Sequence, residues 1–143
     1  MTNIDKATEY HSKGFNCSQA VFCTYCEQLG LDIKTALKIS GGLGGGMGGL
    51  GEVCGAVTGA YLLIGLKHGQ TQPEDKAAKE KTYAMVREFS QRFIERNRTI
   101  NCKELLAIEA ANNQDGTQTR AICSKAIRDA AEIVGEMLEL REK

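Results

Sequence analysis

Six cysteines carry most of the reactive chemistry open to this 143-residue chain: Cys17, Cys23, Cys26, Cys54, Cys102 and Cys123. A thiolate is a nucleophile, a metal ligand and one half of a disulfide, and its reactivity follows from how far its pKa is shifted. Asn16-Cys17-Ser18-Gln19 and Asn101-Cys102-Lys103-Glu104 repeat one pattern, a cysteine directly after an asparagine with Gln or Glu three places past the asparagine. That pattern signals a helix start: the Asn side chain accepts a first-turn N–H, and the Gln or Glu reaches back. Cys54 stands where a glycine run becomes an apolar segment, and Cys123 falls early in the last predicted helix. Unpaired N–H groups and the positive end of the helix dipole favour anions at such places. Four helix starts converging on one point would hold an anionic metal–thiolate centre or a set of acidified redox thiols. The competing reading, cysteine as a small buried hydrophobe, suits any one of these positions better than all four together.

The other reactive groups have simpler explanations. Cys23-Thr24-Tyr25-Cys26 is a C-x-x-C, but it falls in mid-helix with no second C-x-x-C to complete a zinc site, and reads as core. His11 and His68 sit at predicted helix C-termini, where a cation is favourable. Glu52 reads as a helix cap, with proton acceptor as its other role. The run Gly41–Gly51 holds eight of the sixteen glycines. It contains Gly-x-Gly fragments, but no Gly-Lys-Ser/Thr follows and no strand precedes it, which argues against a phosphate loop.

The elements that must position these groups are helical. Helices are predicted over about 3–13, ended by Gly14; 17–29, ended by Gly30; and 33–39, capped by Asp32. After the glycine-rich loop, residues 53–67 form an almost wholly apolar stretch, read as a central helix buried on most sides. Pro73-Glu74-Asp75 opens a helix to about Asn97, with Ala78, Tyr83, Val86, Phe89, Phe93 and Ile94 near one stripe. A short helix runs from Cys102 to about Ala110, residues 112–116 form a loop, and the last helix starts near Thr117 or Thr119 and runs to the end. Hairpin signals and period-2 runs are absent. The expectation is an all-α, single-domain bundle of about five to seven helices spanning residues 1–143.

Composition agrees with an ordinary globule, at 42% hydrophobic and 25% charged residues. Eighteen basic residues balance eighteen acidic ones, which gives no reason to expect nucleic-acid binding. The longest apolar stretch, Ala60–Leu66, is too short to span a bilayer, and no secretory signal is visible at the N-terminus. A cytoplasmic location is expected, where cysteines serve as ligands or redox groups more often than as structural disulfides.

Gly14-Phe15-Asn16-Cys17-Ser18-Gln19-Ala20-Val21, the glycine-rich run into Cys54-Gly55-Ala56-Val57-Thr58-Gly59, Asn101-Cys102 and Cys123 together resemble the family labelled C-GCAxxG-C-C, to which redox activity is ascribed. The resemblance covers about residues 14–134. Cys17, Cys54, Cys102 and Cys123 match the label's cysteines, while Cys23 and Cys26 have no counterpart in it. Ala56 and Gly59 fit the label, but Cys54 stands one place earlier than its cysteine, a displacement of about a third of a helical turn. The resemblance implies a small helical redox or metal-binding protein of mostly anaerobic microbes. A related domain occurs in split-Soret cytochromes, where an iron–sulfur site has been suggested beside haem. This chain has no C-x-x-C-H, so covalent haem attachment is not expected.

Three functions are therefore weighed. The first is a thiol-based redox or electron-transfer protein whose Cys17, Cys54, Cys102 and Cys123 ligate an iron–sulfur cluster. In its metal-free variant Cys54 is the attacking thiolate and a second thiol, Cys17, acts with it. The second is a structural zinc module with the same four ligands. The third is a helical scaffold with buried cysteines. A redox partner is implied by the first, and a homodimer is the default assembly.

Overall fold

The structure, a computed structural model, describes residues 1–113, 115 and 121–142. Its ordered elements are seven helices: α1 (Asn3–Ser12), α2 (Cys17–Tyr25), α3 (Ile33–Ser40), α4 (Gly55–His68), α5 (Lys76–Asn97), α6 (Cys102–Asn112) and α7 (Ala121–Met137). Among the described residues there is no strand, only one isolated antiparallel bridge between Val53 and Asn101. No described helix is long and apolar enough to cross a membrane.

The bundle is built around α4, which packs against α2, α5 and α7. Its first half, Gly55 to Ala60, is buried throughout, and Leu63 and Ile64 continue the core. Small residues permit this depth: a Cβ at Gly59 would lie 2.7 Å from the Ser18 carbonyl oxygen, so α2 approaches closer there than any side chain allows. Beyond Ala60 one side opens, and Leu66 is 38% exposed. α5 covers that half with a narrower stripe than the sequence suggests. Phe89 and Phe93 are fully buried, whereas Tyr83 and Ile94 turn outward at 56% and 40% exposure.

Three element boundaries also differ from expectation. α2 stops at Tyr25 and tightens into a 3₁₀ turn, Cys26–Leu29, before the left-handed Gly30 ends it. The glycine run is more ordered than a loop, with a 3₁₀ turn at Gly41–Leu43 and a further turn at Gly44–Met47. α7 ends at Met137 instead of the terminus, because the chain reverses through Glu139 at φ 54° and the Leu140 N–H closes onto the Gly135 carbonyl at 2.9 Å. The predicted start of α7, at Thr117 or Thr119, lies outside the described residues.

Candidate functional site

Two of the four cysteines open helices through the caps their neighbours form. Asn16 Oδ1 accepts from the Gln19 N–H at 2.9 Å and Gln19 Oε1 accepts from the Asn16 N–H at 3.0 Å, which leaves Cys17 as the first residue of α2. Asn101 Oδ1 accepts from the Glu104 N–H at 3.0 Å, but there the return bond runs through Thr99. The Thr99 hydroxyl donates to Glu104 at 2.7 Å and accepts from the Asn101 N–H at 3.0 Å, so Cys102 opens α6 from a relayed cap.

Cys54 is the residue that caps α4, one place before the helix proper. Its N–H donates to the Ile100 carbonyl at 2.7 Å, and the Cys102 N–H donates to the Glu52 carbonyl at 2.6 Å. This short backbone pairing around the Val53–Asn101 bridge brings the starts of α4 and α6 together. Glu52 contributes its backbone to that pairing; its side chain is exposed and does not cap α4, contrary to the sequence reading.

Two glycines let the chain close around the cysteines. Gly46 sits at φ 73°, and a Cβ there would lie 2.7 Å from the Cys102 Cβ and 2.6 Å from the Glu52 nitrogen. At Gly55 the added carbon would stand 3.0 Å from the Cys17 Cβ. Thus the glycine run lies against α6, and the first residue of α4 lies against the first residue of α2.

The result is one cavity of about 40 Å³ lined by all four cysteines, Cys17, Cys54, Cys102 and Cys123. Gly45, Gly46 and Gly55 form its backbone side, and Leu105, Leu106 and Ile122 contribute apolar surface. A buried water needs about 10–15 Å³ by this kind of measure, whereas organic ligand sites run to roughly 300–1,000 Å³. The space is well below the size of a typical organic-ligand site. A larger open hollow of about 310 Å³ on α1, lined by Met1, Lys6, Glu9, Tyr10 and Lys13, holds no cysteine or histidine.

Within the cavity, burial competes with the helix N-termini. The Cys17 thiol donates to the Cys123 sulfur, and that bond, together with burial and the neighbouring thiols, holds its proton well above the ordinary range. Burial pushes Cys54 up to about 11, although the Ala56 and Val57 N–H groups pull the other way. Cys54 is 5% exposed, so desolvation there works against the acidifying effect expected of a helix start. Cys17, Cys102 and Cys123 are partly exposed.

Cys23 and Cys26 stand apart from this cavity, in the core at 1% and 0% exposure. Their thiols bond to each other, which raises Cys23 and lowers Cys26, and the Cys26 sulfur lies 3.8 Å from the Cys23 carbonyl oxygen. Neither His11 nor His68 lines the cavity; each lies in the last turn of its helix. Among the described residues, no three His, Cys, Asp or Glu side chains already stand as a ligand set for a metal ion.

A family model described as "Putative redox-active protein (C_GCAxxG_C_C)" matches residues 15–137, most of the chain. The chain belongs to the C_GCAxxG_C_C family. The matched span contains all six cysteines, including the four that line the cavity. No curated protein and no solved structure matches the chain.

One residue of this neighbourhood escaped the sequence reading. Glu109 is 8% exposed, the only carboxylate among the described buried residues, and accepts from the Ile122 N–H at 3.3 Å. Its position carried a signal: Cys102, Leu105, Leu106 and Glu109 fall at the spacing of one helix face, which puts an acid on the buried side of α6.

Proposed function

We propose that this family member is a thiol-based redox protein with one centre, Cys17, Cys54, Cys102 and Cys123, in which Cys17 and Cys123 are the exchanging pair. The observation that carries the reading is the single cavity into which all four cysteines converge, with the Cys17 thiol bonded to Cys123. Cys17 holds a proton that the Cys123 sulfur accepts, so Cys123 is the better nucleophile of the two. Having released its own proton to water, Cys123 attacks one sulfur of a partner disulfide and expels a partner thiolate, leaving a mixed disulfide. Cys17 then passes its proton to that thiolate and attacks the Cys123 sulfur, expelling the second partner thiolate, which takes a proton from water. Two electrons move from the protein dithiol to the partner disulfide. Attack by Cys54 is disfavoured because its burial keeps it protonated. The redox partner approaches over the glycine-rich turn, where Met47 and Leu50 are 39% and 66% exposed.

A second reading has the same four thiols hold an inorganic centre, an iron–sulfur cluster or zinc. The charges of the surrounding thiols help raise the pKa of both Cys17 and Cys54, so ionising several together is costly without a cation to neutralise them. The donor set fits in type and number, and the side chains would have to turn inward to close on a metal. Bound there, a cluster would supply one-electron chemistry and zinc a structural cross-link.

Purification without oxygen, followed by metal analysis and a visible spectrum, separates these readings. Metal-free colourless protein that closes a Cys17–Cys123 disulfide on mild oxidation supports the dithiol. Brown protein containing iron and sulfide supports the cluster, and about one zinc per chain supports the structural site. Metal-free protein whose four thiols resist oxidation overturns all three.

A further inference from the structure

We infer that Glu109 is a positioning residue of the thiol centre: its carboxylate holds the start of α7, and with it Cys123, in register with Cys102 on α6. The inference rests on the reading of Cys17 and Cys123 as the exchanging pair. Each cysteine of the cavity has a visible tie to the others. Cys54 and Cys102 are joined by the backbone pairing between residues 51–54 and 100–103, and Cys17 is set against Gly55. Cys123 is tied through Glu109, which lies seven residues beyond Cys102 on the same face of α6 and accepts the N–H of Ile122, the residue directly before Cys123. One rigid helix thereby carries Cys102 at its start and the anchor of Cys123 two turns on.

The chemistry of the anchor suits the task. A buried carboxylate is costly unless its oxygens are bonded, so its place on the core side of α6 implies a bonding role. Its donor, the Ile122 N–H, is on the second described residue of α7. Ile122 also lines the cavity, so displacement of its backbone would move the cavity wall together with Cys123. An apolar side chain at 109 would fill the same space without an acceptor for that N–H.

The test measures the equilibrium of the Cys17–Cys123 disulfide against reduced and oxidised glutathione in the full-length metal-free chain. Quenched alkylation and peptide mass spectrometry identify the pair, and circular dichroism verifies the fold. Glu109→Ala is expected to lower the equilibrium constant about tenfold or more, equivalent to about 30 mV for a two-electron couple. Glu109→Gln keeps an acceptor oxygen and is expected to stay within about threefold of the wild type. A folded Glu109→Ala protein with the wild-type equilibrium overturns the inference, since a purely structural residue would alter stability without moving this constant. If Glu109→Ala does not fold, Glu109→Gln decides: retention within about threefold supports the anchor, and a tenfold loss overturns it. Wild-type protein that closes no Cys17–Cys123 disulfide overturns the parent reading, and this inference with it, before any variant is compared.

Discussion

Replacing Gly46 with alanine isolates the close approach on which the thiol cavity depends. Gly46 and Gly45 are neighbours in the same turn, at φ 73° and 63°. Alanine at either meets the left-handed penalty, about 1–2 kcal/mol. At Gly45 the new methyl meets nothing within 4 Å, so strain is the whole cost. At Gly46 it would stand 2.6 Å from the Glu52 nitrogen and 2.7 Å from both the Gly51 Cα and the Cys102 Cβ. Two of those three atoms are backbone, held by the pairing with α6, so relief requires that pairing to shift. Overpacking of this kind costs about 1–3 kcal/mol. Gly45→Ala is therefore expected to lose about 1–2 kcal/mol and Gly46→Ala about 2–5 kcal/mol. Urea unfolding of the reduced proteins under one set of conditions reads the difference. Alkylation of Cys102 in the folded state should be faster in Gly46→Ala alone. Equal stabilities within about 0.5 kcal/mol, with unchanged Cys102 reactivity, would refute the packing of the glycine run against α6.

The two sets of cysteines should respond oppositely to substitution. Cys23→Ala, in the core, is expected to cost about 1 kcal/mol in urea unfolding and leave the glutathione equilibrium of the centre unchanged. Cys17→Ser should abolish the Cys17–Cys123 disulfide with a smaller stability loss, by the same two measurements. Cys54 gives a pH dependence: its thiol is raised from an ordinary 9.0 to about 11, so the folded state binds the proton more tightly than the unfolded one. The stability this adds is present below the unfolded pKa and is lost as pH rises through the folded value, so unfolding midpoints should fall between about pH 9 and 11. Cys54→Ala should flatten that fall, and an unchanged slope would contradict the burial assigned to it. Asn16→Ala removes the acceptor for the Gln19 N–H and should cost about 1 kcal/mol by urea titration.

Helix identity was legible because caps and stops are local chemistry. Asn16 with Gln19, Asp32 and Asn101 specify their helix starts through side chains within three residues, and the structure places α2, α3 and α6 there. That Cys17 and Cys102 open helices was legible for the same reason, since a cysteine beside a cap lies at a helix start wherever that helix packs. What local pattern could not carry was the third dimension. The outward turn of Tyr83 and Ile94 depends on how much of α5 its neighbours cover. The pairing of residues 51–54 with 100–103 joins segments about fifty positions apart that have no strand signal of their own. The protonation of Cys54 follows from depth, which sequence does not give, and the dipole argument on its own has the opposite sign. Glu109 looks like an ordinary surface acid until the face of α6 that meets α7 is known.

The central claim, that Cys17, Cys54, Cys102 and Cys123 make one redox centre with Cys17 and Cys123 as its exchanging pair, is tested most directly by mapping where oxidation goes. Reduced, metal-free protein is titrated with oxidised glutathione without oxygen, alkylated, and digested for peptide mass spectrometry. The account expects one intramolecular disulfide, Cys17–Cys123, to form first, while Cys23 and Cys26 remain thiols that react only after unfolding. A first disulfide between Cys23 and Cys26, or glutathione scattered over the cysteines with no preferred pair, would contradict it.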